Sequence, residues 1–252
     1  MKAKKTIAYS FAGTALGATL LQTLSFLICY DSGTNYFQSK AILPIVSLAL
    51  MLIAGALGIA AVFVWQEEVD PSQIKKRFPF ASAIPAIGFL AAGFYFLSQA
   101  KNKFDLICAI AILIASLSFV LDLFSKENKS TIFYLGFFAV FGCILLTGRH
   151  YFDMTIEMNA PIKVALQAAL LFASVFFTQE LRCLLGKATE RIYRAITAWT
   201  VALGCYASIP AIIAHLAGIT DRFDYFCTAL LVLSITVFAA IRLIVPHLKA
   251  SK

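Results

Sequence analysis

Eight long apolar runs, separated by short polar stretches, follow one another along the 252 residues of this chain. They cover Thr6–Cys29, Ala41–Trp65, Phe80–Ser98, Asp105–Phe124, Thr131–Thr147, Pro161–Thr178, Ala195–Leu216 and Tyr225–Val245. A bilayer-crossing α-helix needs about 20 largely apolar residues, within a range of about 17–25. Every run meets that length, the fifth and sixth being the shortest. The pattern predicts an all-α membrane protein with eight transmembrane helices. The gaps between runs are too short for a soluble domain, so 1–252 reads as a single membrane domain. Lys2, Lys4 and Lys5 precede an apolar stretch longer than the 7–15 residues of a cleaved signal core, so it reads as the first span.

The charged residues then set orientation. Of the 21 Lys and Arg, fifteen fall at the N-terminus, the C-terminus and the connections on that same side, and six fall on the other. Basic residues collect on the cytoplasmic side of membrane proteins, which predicts both termini in the cytoplasm.

The runs also match one another in order. Lys4-Lys5-Thr6-Ile7-Ala8-Tyr9 resembles Lys129-Ser130-Thr131-Ile132-Phe133-Tyr134, with Gly17 answering Gly142. Pro44-Ile45 matches Pro161-Ile162, Phe63-Val64-Trp65-Gln66-Glu67 matches Phe176-Phe177-Thr178-Gln179-Glu180, and Lys103-Phe104-Asp105 matches Arg222-Phe223-Asp224. These matches predict a 4+4 parallel tandem repeat, with halves 1–125 and 126–252. Parallel repeats of this kind occur in carriers that hold a solute near the membrane midplane.

Composition confirms the class: 61% of residues are hydrophobic and 13% charged, against roughly 45–50% and about 25% in soluble domains. The net charge of +8 lies mostly in the connections, where it serves topology, and predicts no nucleic-acid partner. The lipid bilayer is the first expected partner.

Ionisable residues deep in a span are functional candidates because burying them is costly. None sits near a helix midpoint. Asp122, Glu180, Arg242 and Lys163 lie near helix ends and are expected to reach the interface, the cations by extending their stems. The densest polar stretch is Gly148–Lys163, predicted as a loop between the fifth and sixth spans. One reading makes it a ligand mouth, with Arg149 or His150 meeting an anion, Asp153 or Glu157 meeting a cation, and Asn159 beside them. The other makes it an interfacial loop anchored by aromatics.

Lys163, Gln167, Ser174 and Thr178 share one helical face. That face is expected to turn inward, lining a cavity or bonding a neighbouring helix. Glu67 and Glu180 end their spans on the same side. They form either an inner gate or a polar exit paired with Lys75–Arg77 or Arg182. Asp105 and Asp224 read as helix N-caps. Pro85 and Pro210 fall inside the third and seventh spans and should bend them. Gly13 and Gly17 permit a close helix approach, within the chain or in a homodimer.

None of the six cysteines forms a CxxC pair, and His150 and His215 lack the carboxylate spacing of a metal site. No cofactor and no catalytic motif is predicted, and enzymatic activity has no nominated residues. Tyr151-Phe152-Asp153-Met154, Asn159-Ala160-Pro161 and Glu180-Leu181-Arg182, about thirty residues in all, resemble segments of an uncharacterised family of bacterial polytopic membrane proteins. That resemblance implies a bacterial cytoplasmic (inner) membrane and no assigned activity. The duplication, the proline bends and the polar face of the sixth span together predict a small-solute transporter or permease-like protein. The alternative is a non-catalytic membrane anchor, sensor or regulatory subunit, whose basic Arg182–Arg194 segment docks a protein partner or anionic lipid.

Overall fold

The computed structural model describes residues 2–64, 80–124, 129–185, 187 and 189–244. Among them are eight α-helices: α1 Lys2–Cys29, α2 Leu43–Val64, α3 Ala83–Ser98, α4 Lys103–Phe124, α5 Lys129–Phe152, α6 Pro161–Leu184, α7 Glu190–Leu216 and α8 Phe223–Ile244. Two short antiparallel strands, β1 Tyr30–Asp31 and β2 Tyr36–Phe37, pair Tyr30 with Phe37 between α1 and α2. Seven of the helices are long and apolar enough to cross a membrane. The eighth, α3, is apolar but only 16 residues long. At about 1.5 Å per residue it spans about 24 Å, short of a hydrocarbon core about 30 Å thick.

The predicted ends shift where polar residues find partners inside the protein. The fifth span was expected to stop at Thr147, yet α5 continues to Phe152. Likewise α6 runs on from Thr178 to Leu184. Hydropathy drops in both extensions, but the backbone ladder does not depend on hydropathy, and Arg149 and Glu180 there are paired with residues of neighbouring helices. Pro85 is the third residue of α3, not an interior one. Its missing N–H falls among the first-turn donors that have no helical acceptor, so no bend is required there. Pro210 does lie inside α7.

Consecutive helices from α3 through α8 pack side by side, and α8 returns to pack on α3 and α6. The pair α1–α2 rests on α7. The packing therefore crosses the boundary after residue 125: α1 and α2 seat on α7, while α3 and α4 seat on α8 and α5. Glycines mark the tightest crossings. A Cβ on Gly55 would stand 2.2 Å from the Trp199 ring, and one on Gly88 would stand 2.0 Å from Ser234 Oγ. Gly13, by contrast, has open space, and Gly17 only just reaches Leu50 at 4.0 Å. Polar contacts reinforce the α1–α2–α7 seam, where Ser47 donates to Gln22 Oε1 at 2.7 Å and lies 3.4 Å from Tyr206 Oη. The main core includes Phe89, Ile112, Leu166, Leu170, Phe176 and Phe238, all buried.

Candidate functional site

The polar residues collect in two networks, one at each end of α6. The first surrounds Asp153, at the start of the 153–160 connection. Its Oδ1 accepts from the Thr155 amide at 3.0 Å and from the Thr155 hydroxyl. Its Oδ2 accepts from Arg222 Nη2 at 2.9 Å and from Tyr225 Oη at 3.3 Å. Its main-chain carbonyl accepts from Lys163 Nζ at 2.6 Å, and Ile156 O accepts from the same ammonium at 3.3 Å. Burial raises the Asp153 pKa, but the Thr155 hydrogen bonds, then Arg222 and Lys163, outweigh it and hold the carboxyl below its ordinary value.

Arg149, one turn earlier on α5, bonds Asp105 of α4 at 3.1 Å and lies over the Phe96 ring of α3 at 4.6 Å. His150 is buried and stacks on Tyr225, with ring centroids 4.7 Å apart. Its Nε2 lies 2.8 Å from Thr228 Oγ1. Thr228 spends its one hydroxyl hydrogen on Asp224 O. His150 Nε2 must therefore be the donor, which leaves Nδ1 buried without a hydrogen-bond partner.

Of the predicted mouth residues, Arg149, His150, Asp153 and Lys163 thus converge, and each is engaged by the protein itself. Glu157 and Asn159 are exposed on the connection. Gln167 is half-buried, and its Nε2 has no hydrogen-bond partner.

Several expectations are corrected. Lys163 does not extend to the interface: it is fully buried, because the loop carbonyls give its ammonium a nearer set of acceptors than water. Ser174 and Thr178 turn to their own helix instead of to a neighbouring one. Their hydroxyls bond Leu171 O and Ser174 O on their own helix, the local option open to any helical Ser or Thr. The side chain that caps α4 is Asn102, whose Oδ1 accepts from Asp105 N at 2.8 Å. Asp105 itself reaches back to Lys101 N at 3.2 Å, the reciprocal partner of that cap. Asp224 lies in the first turn of α8, 3.9 Å from Arg222 Nε. His215 bonds Thr220 O at 2.9 Å and stacks on Phe226, so the two histidines serve separate packing sites.

The second network lies at the other end of α6. Arg242 of α8 meets Glu180 at 3.0 Å, with side chains 13% and 16% exposed. Tyr193 of α7 donates to the other Glu180 oxygen. Arg242 also packs over Phe238 at 4.8 Å. This corrects two readings: Arg242 turns inward to a carboxylate instead of extending outward, and Glu180 pairs with Arg242 instead of Arg182, which bonds Lys187 O. Glu67, the other predicted gate residue, lies outside the described residues, as do Gln66 and Lys75–Arg77. The basic segment contributes less surface than expected, since Tyr193 and Arg194 are buried.

Beside this pair is a cavity of about 60 Å³, lined at its polar side by Ser82, Asp122, Glu180 and Arg242 and elsewhere by residues such as Phe119 and Phe177. Ser82 Oγ donates to Asp122 Oδ2. At about 10–15 Å³ per water, the space suits a handful of waters or a solute of a few heavy atoms.

Sequence reading missed Tyr225, Thr228 and Tyr193 as site residues. Arg222-Phe223-Asp224 stood out only as a repeat match. Among the described residues no group of three or more His, Cys, Asp or Glu is placed to hold a metal, and all six cysteines are free thiols. Compared with protein-family models, with curated proteins and with solved structures, the chain matches none.

Proposed function

We propose that this multi-pass protein is a permease-like transporter of small polar solutes, entered from the Glu180 end. One observation carries the reading: charged pairs close the Asp153 end, while a polar-sided cavity adjoins the charged pair at the Glu180 end. An ion pair held inside an apolar bundle is costly, and a solute path supplies a reason to keep one. The cavity's size limits the substrate class to solutes of a few heavy atoms. In this reading α3 completes an eighth crossing, and both termini lie in the cytoplasm of a bacterial-type inner membrane. The 4+4 sequence matches are then the trace of a duplication.

The test is osmotic. Proteoliposomes are challenged with urea, methylammonium chloride or sodium acetate, and volume recovery is followed by stopped-flow light scattering. At least one solute should enter faster than into protein-free vesicles, and Glu180→Gln should slow it. Entry at the protein-free rate for every solute overturns the proposal.

A second reading, a non-catalytic anchor, sensor or regulatory subunit, draws support from the α1–α2 pair. That pair joins the bundle through α7 and exposes large apolar residues such as Leu20, Ile45 and Leu52. A stoichiometric polypeptide retained in native mass spectrometry would favour it.

A further inference from the structure

Both charged pairs tie the ends of α8 towards α6, one through the connection that leads into α6 and one through α6 itself. Arg222, directly ahead of α8, meets Asp153 at 2.9 Å, and Lys163 ties Asp153 to α6. Twenty residues further along, α8 meets α6 again through Arg242 and Glu180. At about 1.5 Å per residue the bridges stand about 30 Å apart, the thickness of a bilayer's hydrocarbon core. Between Asp224 and Arg242 on α8, and between Lys163 and Glu180 on α6, the chain carries no charge. The buried residues there include the small Ala169 and Ala173 of α6 and Ala229 of α8, and small side chains let packed helices approach closely. Above the second bridge Phe176 meets Phe238 edge-on at 6.0 Å. This geometry suits two helices hinged across a smooth middle and fastened at each end.

We infer that α8 is the gating helix of the transporter. It is latched by Arg222–Asp153 to the connection that Lys163 of α6 holds on one membrane face, and by Arg242–Glu180 to α6 itself on the other, and the latches open in alternation. The inference rests on the transport reading and names its moving part. In the structure both latches are formed, and the cavity lies at the Arg242–Glu180 latch. The Asp153 latch is the more heavily fastened, since Thr155 and Tyr225 also hold the carboxylate.

Two native thiols report on the ends. Cys183 lies three residues after Glu180 on α6, Cys227 lies three after Asp224 on α8, and both are half-buried. Full-length protein retaining only these cysteines, the other four changed to Ala, is reconstituted and labelled with a membrane-impermeant methanethiosulfonate reagent from each face. Asp153→Asn with Arg222→Gln should raise Cys227 labelling about tenfold and lower that of Cys183. Glu180→Gln with Arg242→Gln should do the reverse. The charge-swapped pair Asp153→Arg with Arg222→Asp should bring the rates part of the way back, since the ion pair re-forms while the Thr155 and Tyr225 bonds stay lost, which separates latch loss from a damaged fold. Labelling that rises at both cysteines together, or at neither, overturns the latches. Alternating labelling without flux of any tested solute leaves the latches standing and overturns transport; flux without alternation does the opposite.

Discussion

The Arg242–Glu180 pair makes a prediction whose size follows from its surroundings. The charged atoms are 3.0 Å apart and the side chains 13% and 16% exposed. At that distance and an effective dielectric of about 20, the Coulomb attraction is about 5 kcal/mol. Much of it offsets the cost of removing two ions from water. Deleting one partner keeps the other's desolvation cost and loses the attraction, a loss of about 3–5 kcal/mol. Arg242→Leu should sit at the lower end, because Tyr193 still donates to Glu180. Deleting both partners removes both costs. Glu180→Leu with Arg242→Leu should therefore be more stable than either single variant, so that the coupling exceeds the larger single loss of about 3–5 kcal/mol. The assay is equilibrium unfolding in mixed micelles against SDS fraction, followed by tryptophan fluorescence. If the double variant loses the sum of the two single losses, the side chains act independently and the argument fails.

The other end of α6 responds to pH. Asp153 titrates lower in the folded protein than its ordinary value, so its stabilisation is complete above about pH 4 and disappears as pH falls through the folded value. Wild type should thus lose stability more steeply than Asp153→Asn below about pH 4, and equal slopes would refute the assignment. Gly55→Ala places a methyl 2.2 Å from the Trp199 ring. It should cost about 1–3 kcal/mol and raise hydrogen exchange in α1 and α2 ahead of α3–α8. Uniform exchange would show that the α7 seam does not set the stability of the pair. His150→Phe keeps the stack on Tyr225 but removes the donor to Thr228. A loss of about 1 kcal/mol is expected, and a gain in melting temperature would contradict the bond.

Much of the helical frame was legible because hydropathy reports what a membrane span must look like. The start of α6 at Pro161 and the ends of α1 at Cys29 and α3 at Ser98 were read to the residue. The extensions of α5 and α6 were not, because Arg149 and Glu180 look like exits from the bilayer until Asp105 and Arg242 are placed opposite them. The converging residues Arg149, His150, Asp153 and Lys163 stood out by their density in one stretch. Their partners Arg222, Tyr225 and Thr228 lie about seventy residues away, at a separation carrying no local periodicity. Lys163 shows the limit most plainly: its spacing placed it on an inward face, but only the fold of the 153–160 connection makes a pair of carbonyls its acceptors.

The most direct test of solute passage between α6 and α8 is a reversible staple across the Asp153 end. Asp153→Cys with Arg222→Cys, in a background with the six native cysteines changed to Ala, is reconstituted and its solute-driven volume recovery compared before oxidation, after oxidation and after reduction. Uptake of urea, methylammonium or acetate should stop when the staple forms and return when it is cut. Recovery that proceeds unchanged through all three states would contradict passage between the two helices.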